Sequence, residues 1–282
     1  MKNFPLYLIL LLALASCERD ANIEVPAIDP MISVTCFISP QDTVLIAHIT
    51  RVNPLFGDEG SGNNYEIHNA EVTLSDGNTT ATLQYDELLG YYSGPITELA
   101  ILPGETYYLR IEANGYPTLT ASTTVPLEPP TELTATVDDL GFVSNSFESS
   151  FVLTVDLAWN DIEANDSYFR GVISFTDTID YDGILQIDHY DVVNFLDEDE
   201  LPNQGRIEQK HTGSIFAYNI EEPERFKFHL LNCNKDYYEF HKSVENINYG
   251  SPFSEPSLIY SNTSGGLGVF GAYQKSSITF AP

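Results

Sequence analysis

The run Ile32-Ser33-Val34-Thr35-Cys36-Phe37-Ile38 decides the fold class, because Ile32, Val34, Cys36 and Ile38 alternate with Ser33 and Thr35. Successive side chains of a strand point to opposite faces, so a period of two predicts a half-buried sheet. The turn Ser39-Pro40-Gln41-Asp42 follows, and Val44 to Ile49 predicts the returning strand. Val72 to Ser75 and Ala81 to Tyr85 flank Asp76-Gly77, where glycine supplies the positive φ that a hairpin turn requires. Another hairpin follows nearby. Pro103-Gly104 then opens a strand with Tyr107, Leu109, Ile111 and Ala113 on one face; Asn114-Gly115 turns it, and Leu119 to Val125 returns. Short strands at regular intervals predict an immunoglobulin-like β-sandwich over residues 31–126.

Pro126-Leu-Glu-Pro129-Pro130 marks the end of that domain, since consecutive prolines remove ladder donors and hold the chain extended. A second β-rich domain is expected over 131–282, with strands at Thr134 to Val137, Phe151 to Trp159, Gly171 to Thr176 and Arg225 to Leu231. One helix is expected near 235–247: Tyr237, Phe240, Val244 and Ile247 recur at spacings of three and four, with Asn234 or Asn232 as cap. That stripe is read as a core-facing surface, the alternative being a ligand-stacking platform of Tyr237, Tyr238 and Phe240. The fold class is therefore mainly β, a sandwich followed by a β-rich domain with one packed helix.

Composition limits the partners. The chain carries 12 Lys+Arg against 41 Asp+Glu, a formal charge of −29, which repels nucleic acid and anionic headgroups. Hydrophobic residues at 43% are too many for a disordered chain. Of three cysteines, Cys36 and Cys233 lie in opposite halves. A disulfide between them and two separate buried thiols are both open readings.

The amino terminus carries an address. Met1 and Lys2 precede an apolar run from Phe4 to Ala15 that ends at Leu14-Ala15-Ser16-Cys17, ahead of Glu18, Arg19 and Asp20. A spanning helix needs about 20 apolar residues, so the run reads as a secretory signal. The terminal tetrapeptide resembles a bacterial lipobox, with two small residues for the peptidase and a thiol as acyl acceptor. Residues 1–16 are thus expected to be removed and Cys17 to carry palmitate-type acyl chains, each buried methylene adding about 0.8 kcal/mol to anchoring. Residues 17–30 hold four acids and two prolines and read as a tether.

Other motifs are weaker. Gly266-Leu-Gly268-Val-Phe-Gly271 has dinucleotide-turn spacing, but no acid follows Gly271 to read a ribose, so a close-packed terminal β segment is the better reading. Ser264 in Asn262-Thr-Ser-Gly-Gly266 lacks the first glycine of a nucleophile elbow. His48, His68, His189, His211, His229 and His241 lack zinc-ligand spacing. Asp180 to Gly183 and Asp197 to Glu200 read as solvated acidic loops rather than calcium sites. Among 41 carboxylates no glycosidase-like pair stands out. No catalytic, cofactor or metal residue is therefore assigned. Asp42-Thr43-Val44 and Asp177-Thr178-Ile179 resemble O-glycosylation sites of exported Bacteroidota proteins.

Several stretches taken in order resemble a family of Bacteroidota lipoproteins, domain of unknown function 4249. They are Cys17-Glu18 with Ile23 to Pro26, Asn69 to Gly77, Leu102 to Leu109 leading to Thr123 to Pro126, Asp236 to Phe240, Ser251 to Pro256, Tyr260 to Asn262, and Gly265 to Ala272. The resemblance carries over no functional residues and implies an outer-membrane lipoprotein that serves as an accessory or ligand-capture partner of a TonB-dependent transporter. The expectation is a non-enzymatic, lipid-anchored protein, exposed at the cell surface, with its interface or ligand site on loops such as Asn53 to Asn69 and Val193 to Gly205. The competing expectations are an exported glycan hydrolase and an adhesion or envelope-scaffold module, and sandwiches host all three.

Overall fold

Strand β1 (Ile32–Ile38) buries Ile32, Val34, Cys36 and Ile38, while Ser33, Thr35 and Phe37 are half-buried on its other face. The alternation in the sequence is thus the alternation of burial. The structure is a computed structural model that describes residues 29–52, 65–144, 149–160, 162, 168–177, 186–197, 205–216, 227–245 and 258–279. Apart from Asp29 these belong to one unit, Pro30–Val52 with Asn64–Pro282.

The remaining strands are β2 (Val44–Arg51), β3 (Glu71–Ser75), β4 (Thr80–Asp86), β5 (Tyr91–Pro95), β6 (Thr106–Glu112), β7 (Leu119–Thr124), β8 (Thr131–Ser144), β9 (Ser149–Asn160), β10 (Tyr168–Asp177), β11 (Gln186–Asp197), β12 (Arg206–Phe216), β13 (Lys227–Cys233) and β14 (Leu267–Thr279). One α-helix, α1 (Lys235–Glu245), is present among the described residues. The protein is mainly β. Eleven strands form one sheet in the order β11-β10-β13-β14-β1-β2-β5-β4-β3-β6-β7, and three form another, β12-β9-β8.

Turn chemistry sets the local register. The carboxylate of Asp76 accepts from the N–H groups of Asn78 and Thr79 at 2.8 and 2.6 Å, and Gly77 takes φ +91°, so β3 returns as β4 with Ser75 opposite Thr80. Side chains from β1 to β7 share one core, including Val34, Leu45, Val72, Leu83, Leu109 and Leu119. The hydroxyls buried in it are paired: Tyr92 donates to Ile67 O and accepts from Ala70 N, and Tyr107 donates to Ala100 O and accepts from Leu102 N. The sheet curls around this core until β7 meets the segment before β14, where Thr120 and Ser264 exchange backbone hydrogen bonds of 2.9 and 2.8 Å.

β14 runs parallel to β1, Ser33 opposite Leu267 through Ile38 opposite Ala272. This ladder crosses the proline boundary at 126–130, so the last strand of the second half is bonded to the first strand of the first. β13 and β10 then pair antiparallel outward from β14, and Trp159 of β9 packs against Phe169 of β10 with ring centroids 5.5 Å apart. Both Cys36 and Cys233 are free and buried. Burial pushes the Cys36 thiol up to about 12 and the Cys233 thiol higher still, so each behaves as a small apolar side chain.

Two expectations need correction. Val193 to Asp197, expected as part of a loop, belong to β11 and pair with β10. The helix exists, but its buried residues are Tyr237 and Tyr238, and Val244 is 36% exposed; Ile247 lies outside the described residues. The reason is that α1 lies on a sheet face that offers aromatic partners to both tyrosines.

Candidate functional site

Three antiparallel strands build the floor of the site. Their registers place Tyr168, Cys233 and Tyr273 in one cross-strand row, Arg170, Leu231 and Lys275 in the next, and Val172, His229 and Ser277 in the third. Residues two apart on a strand share a face, so the three rows point the same way. Phe37 joins from β1, which pairs with β14.

Helix α1 is set down at one end of this floor. Asn234 caps it: its Oδ1 accepts from Tyr237 N at 3.1 Å and also from Ala272 N of β14 at 3.1 Å. The amide of the same side chain donates to Thr123 Oγ1 at 2.7 Å, so one residue ties helix, β14 and β7 together. The sequence offered Asn234 or Asn232 as cap. Asn232 instead donates to Glu128 O at 2.8 Å. With its start fixed, α1 stacks Tyr238 on Tyr168 at 4.4 Å and sets Tyr237 against Phe37 at 4.5 Å and Tyr273 at 5.7 Å.

The result is an open cleft of ≈ 280 Å³. Its apolar surface comes from Phe37, Val172, Leu231 and the rings of Tyr237 and Tyr273, and its polar groups are Arg170, His229 and Lys275. Arg170 Nη1 donates to the Tyr237 hydroxyl at 2.6 Å and lies 3.2 Å from His241 Nε2. Each cation also approaches a ring face, Arg170 over Tyr237 and Lys275 over Tyr273, both at 5.8 Å. His229 is held by two serines, Nε2 to Ser174 Oγ at 2.7 Å and Nδ1 to Ser277 Oγ at 2.6 Å.

Asp42 closes the Lys275 side. Its carboxylate accepts from the Tyr273 hydroxyl at 2.9 Å and lies 3.4 Å from Lys275 Nζ. Burial raises the Asp42 carboxyl above its ordinary value, against the lowering pull of Lys275 and of the Tyr273 hydrogen bond. Burial and the neighbouring Asp42 charge push the Tyr273 phenol far up, so it stays a donor. Gln41 and Gln274 brace the pair: Gln41 Nε2 donates to Gln274 Oε1 at 3.3 Å, and Gln274 Nε2 to Pro126 O at 2.5 Å.

Chemically, the cleft offers cationic donors beside flat apolar walls, a combination suited to holding an anionic group attached to an apolar body. Among the described residues no group of three or more His, Cys, Asp and Glu is placed to hold a metal ion.

Of the residues singled out from sequence, the structure brings Tyr237, His229 and His241 to this site. His48 and His68 lie elsewhere, against Tyr91 and Tyr85. Gly266, Gly268 and Gly271 are spacers rather than a phosphate cradle: a Cβ on Gly268 would lie 1.9 Å from Val34 O, and one on Gly266 2.5 Å from Ile32 O. Ser264 is engaged through its backbone with Thr120. Cys17, residues 53–64, Asp180 to Gly183, the side chains of His189 and His211, and Glu198 to Glu200 lie outside the described residues, as does Thr178; Thr43 is exposed. Arg170, Lys275, Tyr273, Phe37 and Asp42 were not found from sequence. The spacing Tyr273-Gln-Lys275 on a strand is the one local signal that placed two of them on a common face.

This arrangement defines a class, a mainly β protein with one helix seated over a sheet face and a cation-and-aromatic cleft beneath it. The family model described as Domain of unknown function (DUF4249) matches residues 18–279, and the chain belongs to that family. No curated protein matches the chain.

Proposed function

We propose that the protein is a non-enzymatic outer-membrane lipoprotein of the Bacteroidota type, held by lipid on Cys17 and working as an accessory or ligand-capture partner of a TonB-dependent transporter. The observation that carries this reading is Leu14-Ala15-Ser16-Cys17 at the end of an apolar run from Phe4 to Ala15. That run is too short to span a bilayer, so it acts as a signal, and the thiol after two small residues acts as the acyl acceptor. Several acyl chains on one residue suffice for stable anchoring. The acidic stretch behind Cys17 then tethers the β body in water.

An open cleft on such a body supports ligand capture rather than scaffolding alone. A direct test is affinity purification from native membranes after mild detergent extraction. Recovery of a TonB-dependent barrel with the protein is expected. Reproducible recovery of the lipoprotein alone would contradict the partnership.

A further inference from the structure

Lysine and arginine are scarce in this chain, 12 against 41 acids, yet two of them, Arg170 and Lys275, line the same cleft. They occupy one cross-strand row with Leu231 between them. Neighbouring strands lie about 4.8 Å apart, so their backbones are roughly 10 Å from each other and the two side chains flank an apolar floor. Asp42 offsets part of the Lys275 charge.

We infer that the cleft over β10, β13 and β14 binds a small organic monoanion, a carboxylate joined to a flat apolar body. The carboxylate lies toward Arg170 and Lys275, where charge-assisted hydrogen bonds are available. The flat body packs on Val172 and Leu231 beside the rings of Tyr237 and Tyr273. The volume, ≈ 280 Å³, is enough to hold a fused two-ring acid. Charge sharpens the choice: a body at −29 repels polyanions strongly and a monoanion much less.

This inference deepens the ligand-capture part of the reading above and rests on it; the titration that tests it needs no transporter, so its failure and failure to recover a barrel are separate results. The probes are 2-naphthoate and its neutral isostere 2-naphthamide, titrated calorimetrically into the full chain in neutral detergent against a detergent blank. Saturable one-to-one binding of 2-naphthoate is expected, weakened about tenfold or more for 2-naphthamide and in Lys275→Gln, as loss of a hydrogen bond to a charged group implies. Val172→Trp, which fills the floor and leaves both cations in place, should abolish binding in a protein whose circular dichroism is unchanged; it provides the reading if Lys275→Gln does not fold. No saturable binding by the folded wild type, equal affinity for acid and amide, or undiminished binding by folded Val172→Trp would each overturn the inference.

Discussion

At the residue scale, the glycines before and within β14 show how one missing Cβ fixes a strand. Gly268 takes φ +114°, and a Cβ there would lie 1.9 Å from Val34 O and 2.7 Å from Val34 N, both backbone atoms of the parallel neighbour β1. No rotamer change relieves such a contact. Gly77 also has positive φ, +91°, but nothing lies within 4 Å of its missing Cβ. The two positions therefore separate backbone strain from crowding. Gly77→Ala is expected to cost about 1–2 kcal/mol, the left-handed penalty alone. Gly268→Ala adds the clash to that penalty and should cost more than about 3 kcal/mol or prevent folding. Chemical denaturation of both variants checks this, and equal losses would show that β14 is not seated as described.

At the scale of elements, one side chain outside α1 fixes the helix start. Asn234 accepts from Tyr237 N and Ala272 N and donates to Thr123 Oγ1, so Asn234→Ala loses a cap and leaves the Ala272 N–H without that partner. A cap contributes about 0.5–2 kcal/mol and an abandoned buried donor about 1–3. The expected loss is about 2–4 kcal/mol by urea denaturation, with Asn234→Asp intermediate because it keeps the acceptor and loses the donor. A loss no larger than that of an isolated cap would mean the β14 contact contributes nothing.

The segment before β14 acts in the same way. Asn262 accepts from Phe270 N at 2.9 Å and donates to Phe270 O at 2.8 Å, taking the place of a strand neighbour, while Tyr260 donates to Asp236 Oδ1 at 2.7 Å at the start of α1. Alternation made β1 and β2 legible in the sequence, and spacings of three and four made the helix legible. The helix face was misjudged because hydrophobic spacing favours Val244, whereas the sheet offers Tyr168 as a stacking partner for Tyr238. β12 went unread because Arg206-Ile-Glu-Gln-Lys-His-Thr is mostly polar and shows a strand's period only weakly. Beyond the spacing of Tyr273 and Lys275 the cleft left no local signature: Phe37, Arg170, Leu231 and Lys275 come from four strands, and their proximity is a product of register.

At the scale of the whole molecule, the first and last described strands are neighbours. They meet in the parallel ladder between β1 and β14, from which the eleven-stranded sheet runs to β7 on one side and to β11 on the other, while β8, β9 and β12 form a separate sheet. The cleft sits on the β14 side of that ladder, with Phe37 of β1 in its wall. A formal charge of −29 repels anionic headgroups, so membrane attachment in the proposed reading rests on the lipid at Cys17 alone. The central claim is that Cys17 becomes the lipidated first residue, and intact-mass spectrometry of the protein isolated from native membranes tests it most directly. A chain beginning at Cys17 with the added mass of a diacylglyceryl group and a further acyl chain is expected; a chain that begins elsewhere, or begins at Cys17 without lipid, would contradict the lipidation of Cys17.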